Sequence, residues 1–386
     1  MAVILKKAEL KVYVYTGDIE NKGQPKYTLT KSKMDGDDVV IFERAELVKD
    51  YLPVVFDGDP KTAELTAWVR TELTRTFEDN QTESESQDAN ALVRTYVAFR
   101  GYGELYDINS TNASNINPDL KYKALISNRT IYKPVGEPVF IPHFKAVGEG
   151  TYKIASFNAT DTKLEEFATS GNVKNVTVDT TGLLASKGTD RLYDTSVTAL
   201  RMSASGGFIS GAEYSKDASK IQFTGADGSV QTINVIDVCE TKFDPIKVSF
   251  INKFGVIQEL WFFKRKDRSF DVTKESFQHS SLRLTRLQSG VNDQTLDFDT
   301  TVHPNKDFHI QGTKKITMNT GFVSEDHNEV IKQLLVTEYA WIHDDNGPTP
   351  VKPSNVSFQE KSGINDKVIN FTLDFEYAHG YIQNIR

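Results

Sequence analysis

At 386 residues, with 38% hydrophobic and 11% aromatic side chains, the chain is long enough for two or three domains with ordinary buried cores. Its formal charge of −8 argues against a general nucleic-acid binder, which needs a basic face to neutralise phosphates. No apolar run approaches the roughly 20 residues that cross a bilayer as a helix, and the single cysteine, Cys239, excludes an intrachain disulfide.

The opening MAVILKKAELKVYVY carries apolar residues ahead of its lysines and then alternates as a strand does. It lacks the charged start and small-residue cleavage site of a signal peptide, so a chain made and folded in a cytoplasm is expected. From there the hydrophobic period is mostly two. After the apolar run 39–42, Ala45, Val48, Tyr51 and Leu52 fall on one side of a short helix that Pro53 ends. Residues 65–77 and 91–99 alternate again, flanking a polar stretch over 78–90. This reads as a long hairpin whose tip has no apolar anchor except Ala89 and becomes ordered on a neighbouring subunit.

The middle of the chain, 145–231, is rich in Gly, Ser, Thr, Ala, Asp and Asn, with short strands predicted at 152–157, 173–178, 195–202 and 221–223. Aromatic and β-branched residues recur through it, which favours an inserted small β domain over a linker. The segment 233–239 reads as a buried strand with Cys239 as a small core residue. A hairpin follows, 246–251 and 256–263, turning at Lys253-Phe254-Gly255. Ser324 is the expected N-cap of a second helix over 324–336, with Glu325 and Asp326 in its first turn. Val330, Ile331, Leu334 and Leu335 form its apolar stripe, and 339–342 resumes as a strand. At the end, Ile369, Phe371, Leu373, Phe375 and Tyr377 alternate with polar residues, and 355–360 reads as their hairpin partner across a turn at 362–366. The expected fold is mainly β. Two β-barrel or sandwich units, each with a short helix, occupy 1–144 and 236–386, and the inserted small β domain occupies 145–235.

No catalytic, cofactor-binding or metal site is expected. Of seven histidines, His303 and His309 lie near each other with Asp299 and Asp307 close by, but HPNKDFH fits no established ligand spacing. The carboxylate turns Asp35-Gly36-Asp37-Asp38 and Asp57-Gly58-Asp59 lack the alternating oxygens and distal bidentate Glu of a calcium loop. Gly101-Tyr102-Gly103 has no third glycine, and Gly206-Gly207 runs into a strand pattern, so neither cradles a phosphate. Walker, nucleophile-elbow, zincin and kinase signatures are missing. The run Lys264-Arg265-Lys266-Asp267-Arg268 reads as a solvated hairpin end or an ion-pairing site for an acidic neighbouring subunit. Asn-x-Ser/Thr triplets, such as those at Asn109, Asn158 and Asn370, arise by chance in a chain this rich in Asn and Thr.

Three segments, PIKVSFINKFGVIQELWFFKRK, ITMNTGFVSEDHNEVIKQLLVTEYAWI and SGINDKVINFTLDFEYAHGYIQNIR, together resemble tail or baseplate structural proteins of tailed bacteriophages, particularly those of Bacteroidetes-type hosts. The N-terminal YTLTKSKMDGDDVVIFERAELVKDYL is similar to the opening region of the same proteins. The resemblance covers about the first and last thirds of the chain and not the insert. It implies a non-enzymatic ring component of a virion, made in the host cytoplasm, with no cofactor and no catalytic residue to carry over. Such proteins use β-barrels or sandwiches flanked by a short helix and join as rings through strand edges and hairpins. The implied partners are copies of the chain itself, as a trimer or hexamer, and neighbouring tail proteins, without sequence-specific nucleic acid or membrane insertion. An acidic lumen would let DNA pass without sticking. The competing expectation is a receptor- or carbohydrate-binding virion protein whose insert displays aromatics for sugar stacking. A cell-wall glycosidase ranks last, because a carboxylate pair can always be chosen from 53 acids.

Overall fold

The structure, a computed structural model, describes residues 3–18, 21–34, 39–58, 65–79, 84–102, 124–135, 137, 139–146, 152–169, 176–178, 184–186, 195–202, 219–224, 228–239, 242–280, 282–286, 294–298, 300–345, 347–355, 357–360 and 368–380. Among the described residues strands far outnumber the two short helices, so the chain is mainly β, as its period of two predicts.

The N-terminal sheet runs in the order Tyr27–Ser32, Val3–Tyr15, Thr66–Asp79 and Glu85–Gln87, with Leu92–Phe99 also paired to Thr66–Asp79. Alternation puts Leu10, Val12, Val14, Ala67 and Val69 on one face, where the helix Ala45–Lys49 (α1) and the turn after it cover them with Val48 and Leu52. The one-sided stripe expected of α1 is narrower in the fold. Ala45 and Tyr51 stay at the surface, and the Tyr51 ring meets Tyr27 edge-on at 5.6 Å between centroids.

The long hairpin forms, pairing from Thr66↔Phe99 to Leu73↔Leu92, and its far end folds back. Glu85–Gln87 continues the ladder along the outer end of Thr66–Asp79, from Thr76↔Gln87 to Glu78↔Glu85. Arg75 holds the return in place. Its backbone N–H and its Nε both donate to Asp88 Oδ2 at 2.9 Å, and Asp88 N–H donates back to Arg75 O at 3.0 Å. Residues 84–88 of the expected assembly tip are therefore held by the chain's own strands. Residues 80–83 of that tip lie outside the described residues.

The middle sheet has the order Lys163–Thr169, Tyr152–Phe157, Lys220–Thr224, Val230–Val238 and Thr130–Pro134, the last two strands being parallel. Ile221, Phe223 and Ile233 are fully buried in it. Strand pairing crosses the boundary drawn from texture at 144/145. Thr130–Pro134 belongs to this sheet, Thr195–Met202 pairs with Val139–Ala146, and Val176–Val178 pairs with Gly17–Asp18. Cys239 is not a core residue: Val230–Val238 ends one position before it, and the thiol is exposed.

The C-terminal sheet has seven strands in the order Ile257–Phe262, Ile246–Ile251, Ala340–Asp344, Gly347–Pro353, Thr372–Tyr377, Asn305–Asn319 and Lys266–Gln278. The helix His327–Val336 (α2) lays Val330, Ile331 and Leu334, all fully buried, on Val248, Phe250, Phe262, Ile316 and Phe375. Leu335, the fourth member of the expected stripe, is only partly buried.

The N-cap of α2 is Asp326 rather than Ser324, because Val323–Ser324 is held as a short strand against Val368–Ile369. The C-terminal strand pairs with Asn305–Asn319 and Gly347–Pro353 instead of 355–360. Asn355 reaches that strand by its side chain alone, accepting from Asp374 N–H at 2.8 Å.

Candidate functional site

The sequence candidates do not converge. Asp307 is ion-paired to Lys274 at 3.1 Å, His309 stands across from Glu275, and His303 is exposed in the turn before the strand. Asp299, the 35–38 turn, Asp59, Gly103, Gly206-Gly207 and Asn109 lie outside the described residues. Among the described residues no group of three or more His, Cys, Asp or Glu side chains could hold a metal ion. No described helix is long and apolar enough to cross a membrane.

Two Ser–His contacts merit chemical scrutiny. Around α2, Ser324 Oγ lies 3.5 Å and Asp326 Oδ1 3.2 Å from the same imidazole nitrogen, His327 Nδ1, and Ser324 also donates to Asp326. A relay needs the serine and the carboxylate on opposite ring nitrogens, so this arrangement cannot pass a proton through His327. Its role is structural. Asp326 Oδ2 accepts from the backbone N–H groups of Arg129, at 2.6 Å, and Thr130, at 3.0 Å, which ties the middle sheet to the helix start. Burial pushes the Asp326 carboxyl up, but the bonds from His327, Ser324 and Arg129 outweigh that and hold it at about 2.

The second contact is Ser249 Oγ to His343 Nε2, 2.7 Å, across neighbouring strands. Ser249 is fully buried, which denies a substrate any approach to it. Burial, reinforced by the Lys247 ammonium and partly offset by Asp344, pushes the imidazole down to about 4. The fold thus prefers neutral His343. At pH above about 6.5 folded and unfolded chains both carry it neutral; between about 6.5 and about 4 only the unfolded chain protonates, and stability falls. We expect a loss of about 1–2 kcal/mol across that window, discounted for the partial exposure of the ring. Melting curves of the parent and His343→Gln from pH 7 to 4 check this, with the variant expected to show a flatter profile.

A buried polar seam joins the 124–130 segment to the 246–263 hairpin and α2. Asn252 Nδ2 donates to Leu125 O at 2.7 Å and to Gln258 Oε1 at 3.0 Å, and Gln258 Nε2 donates to Asn128 Oδ1 at 3.0 Å. Gln333 Nε2 donates to Ser127 Oγ at 2.5 Å and to Glu329 Oε1 at 2.9 Å. Tyr102, next to Gly101, donates its phenol to Gln333 O at 3.0 Å and its N–H to Lys253 O at 2.9 Å. Every one of these amides is matched donor to acceptor, which is how a seam is specified rather than how a reaction is run.

The feature left for recognition is a two-stranded ribbon. Lys266–Gln278 pairs antiparallel with Asn305–Asn319 from Lys266↔Met318 to Gln278↔Asn305. Only the base of Asn305–Asn319, from Lys315 to Asn319, also pairs with Thr372–Tyr377, so the remainder leaves the sheet. A further small hairpin, Leu282–Arg286 with Gln294–Phe298, lies between the two strands in sequence. All 13 residues of Lys266–Gln278 are exposed. Phe270, Val272 and Phe277 are each 49% exposed, Leu282 54% and Phe308 64%.

A lone two-stranded ribbon is marginal in water, and aromatic side chains left in solvent mark a contact surface. The basic run 264–268 is the root of this ribbon, as its reading as a hairpin end anticipates. The ribbon itself went unread because hydrophobic alternation is weak there; the missed signal is charge alternation, with Lys266, Arg268 and Lys274 on even positions and Asp267, Asp271 and Glu275 on odd ones. No protein-family model, curated protein or solved structure matches the chain.

Proposed function

We propose that this chain is a non-enzymatic structural component of a phage virion, a ring-forming tail-tip or baseplate assembly protein. The observation that carries the reading is the ribbon: a 13-residue strand exposed along its whole length, bearing Phe270, Val272 and Phe277, on a domain whose core is otherwise closed by α2. The segments that resemble phage tail and baseplate proteins are the ones that build the C-terminal sheet and α2, and β units that meet through hairpins suit ring assembly. The net charge of −8 agrees with a component past which DNA must slide without binding. Its partners are then copies of itself, as a trimer or hexamer, and neighbouring tail proteins, and its location is the virion. The purified chain, examined by light scattering and negative-stain microscopy, is expected to form closed rings of three or six copies. A chain that stays monomeric at every concentration reached would overturn the reading.

A further inference from the structure

We infer that one face of the ribbon, near its root, is a binding site for an acidic polysaccharide, a linear chain of sugars that carry carboxylates. The inference goes beyond the assembly reading and does not depend on it. Successive residues of a strand point to opposite faces, and residues paired across an antiparallel ladder share a face. The register therefore puts Lys266, Arg268, Phe270 and Val272 on the same face as Ile316, Lys314 and Gly312 of the neighbouring strand. One strand further in, Phe375 pairs with Ile316, so Tyr377, two residues on, lies on that face as well.

The unmatched charges on this face are all positive. Lys266, Arg268 and Lys314 are exposed and have no carboxylate partner among the described residues. Arg268 is close enough to Tyr377 to act on its phenol, which burial pushes up and the guanidinium pulls back down. Towards the tip the same face balances itself, because Lys274 pairs with Asp307 at 3.1 Å. The opposite face carries both signs: Lys315 pairs with Asp271 at 2.7 Å, and Glu275 stands across from His309.

Spacing and apolar neighbours select the ligand. A strand rises about 3.3 Å per residue, so Lys266, Arg268 and the Phe270–Lys314 pair follow one another at steps of about 6.7 Å. Cations in such a row suit an extended polymer with anions at intervals, not a lone anion. Phe270 and Val272, each 49% exposed, supply apolar ground beside them. The C–H faces of sugar rings pack on an aromatic surface while a carboxylate takes the bidentate fork of Arg268. Nucleic acid fits less well. A phosphodiester chain is charged at every step, and a ribbon seated in a duplex groove would bring Asp267, Asp271 and Glu275 towards phosphates in a chain whose net charge is already −8. Phe277 and Phe308, with ring centroids 6.2 Å apart, lie on the opposite face near the tip and take no part in the site.

Fluorescence anisotropy of the full chain with labelled polygalacturonate oligosaccharides tests the site, with dextran oligosaccharides and single- and double-stranded DNA as comparisons. Polygalacturonate is expected to bind best, and to weaken as salt rises from about 0.05 M to about 0.5 M. Arg268→Ser/Lys314→Ser should weaken it at least about tenfold and Phe270→Ala about fivefold. Lys306→Ser/Lys315→Ser removes the same charge from the opposite face and should leave binding unchanged. Melting curves confirm that each variant is folded. Equal losses from the two double variants would show that overall charge holds the ligand, and would overturn the site. So would a parent that binds no polygalacturonate at about 0.05 M salt. Tighter binding of either DNA would overturn the sugar as ligand, and equal binding of dextran would overturn the role of the cations. Sedimentation of the same samples reads assembly separately, so loss of the site leaves the ring reading to its own test.

Discussion

Replacing Gly255 by alanine is expected to lower the unfolding free energy by about 2–5 kcal/mol, far more than a methyl group on a turn normally costs. Gly255 has a φ of +78°, and a Cβ there would stand 2.6 Å from Gly101 N and 2.7 Å from Arg100 C and N, all of them backbone. Backbone cannot rotate aside as the tip of a lysine can. The left-handed conformation adds about 1–2 kcal/mol for any L side chain, and forcing apart packed backbone adds about 1–3 kcal/mol. The crowding is mutual, since a Cβ on Gly101 would meet Lys253 O at 2.6 Å. Gly228 provides the control. It has a φ of +79° with nothing within 4 Å, so Gly228→Ala carries the conformational cost alone, about 1–2 kcal/mol. Denaturant melts of the two variants separate the contributions, and equal losses would show that the 253–255 turn and the 100–102 strand end are not packed together.

That turn shows how far the sequence could be read. Lys253-Phe254-Gly255 between two apolar runs announces a hairpin, and Ile246–Ile251 pairs with Ile257–Phe262 as the pattern requires. What the turn touches is a long-range fact that no local pattern encodes. The same holds for the C-terminal strand. Ile369, Phe371, Leu373 and Phe375 are buried as their alternation predicts, yet alternation says which residues are inside and not which strand lies alongside.

One of its two partners, Gly347–Pro353, is obscured in the sequence by Pro348, Pro350 and Pro353, which argue against a central strand. The fold disposes of the objection by geometry. Pro350 turns its carbonyl toward Ala378 N at 3.0 Å, so Pro348 and Pro350 face away from Ala340–Asp344, and Gly347, Thr349 and Val351 are left to bond that neighbour. Ser324 failed as a cap for a related reason. Ser324 is a good local cap, but its pairing with Val368, more than 40 residues on in sequence, holds it in a strand and moves the helix start to Asp326, whose carboxylate is engaged by Arg129 and Thr130.

Asn252→Ala is expected to cost about 3–5 kcal/mol, because it strands several buried groups at once. Asn252 is fully buried and uses both ends of its amide. Its Nδ2 donates to Leu125 O and Gln258 Oε1, and its Oδ1 accepts from Phe254 N at 3.0 Å and Val256 N at 3.5 Å. Alanine leaves two acceptors without their donor and the turn N–H groups without their acceptor, each such loss being worth about 1–3 kcal/mol in a site that water does not reach. Gln258 cannot compensate by reversing its amide, since Nε2 is already committed to Asn128 Oδ1.

The residues released first should be those of the 124–130 segment, whose hold on the hairpin passes through this amide. Hydrogen exchange at Leu125 N, which donates to Pro142 O at 2.7 Å, reports that release separately from global unfolding. Asn252→Asp refines the test. Its carboxylate keeps the acceptor for Phe254 and loses the donor for Leu125 and Gln258, so its deficit should match or exceed that of alanine at neutral pH and shrink as acid protonates the side chain and restores one donor. Alanine has no proton to gain and should show no such recovery. A loss below about 0.5 kcal/mol for Asn252→Ala, the range of ordinary surface changes, would mean that the segment docks by packing alone and that the amide chain across the seam is incidental.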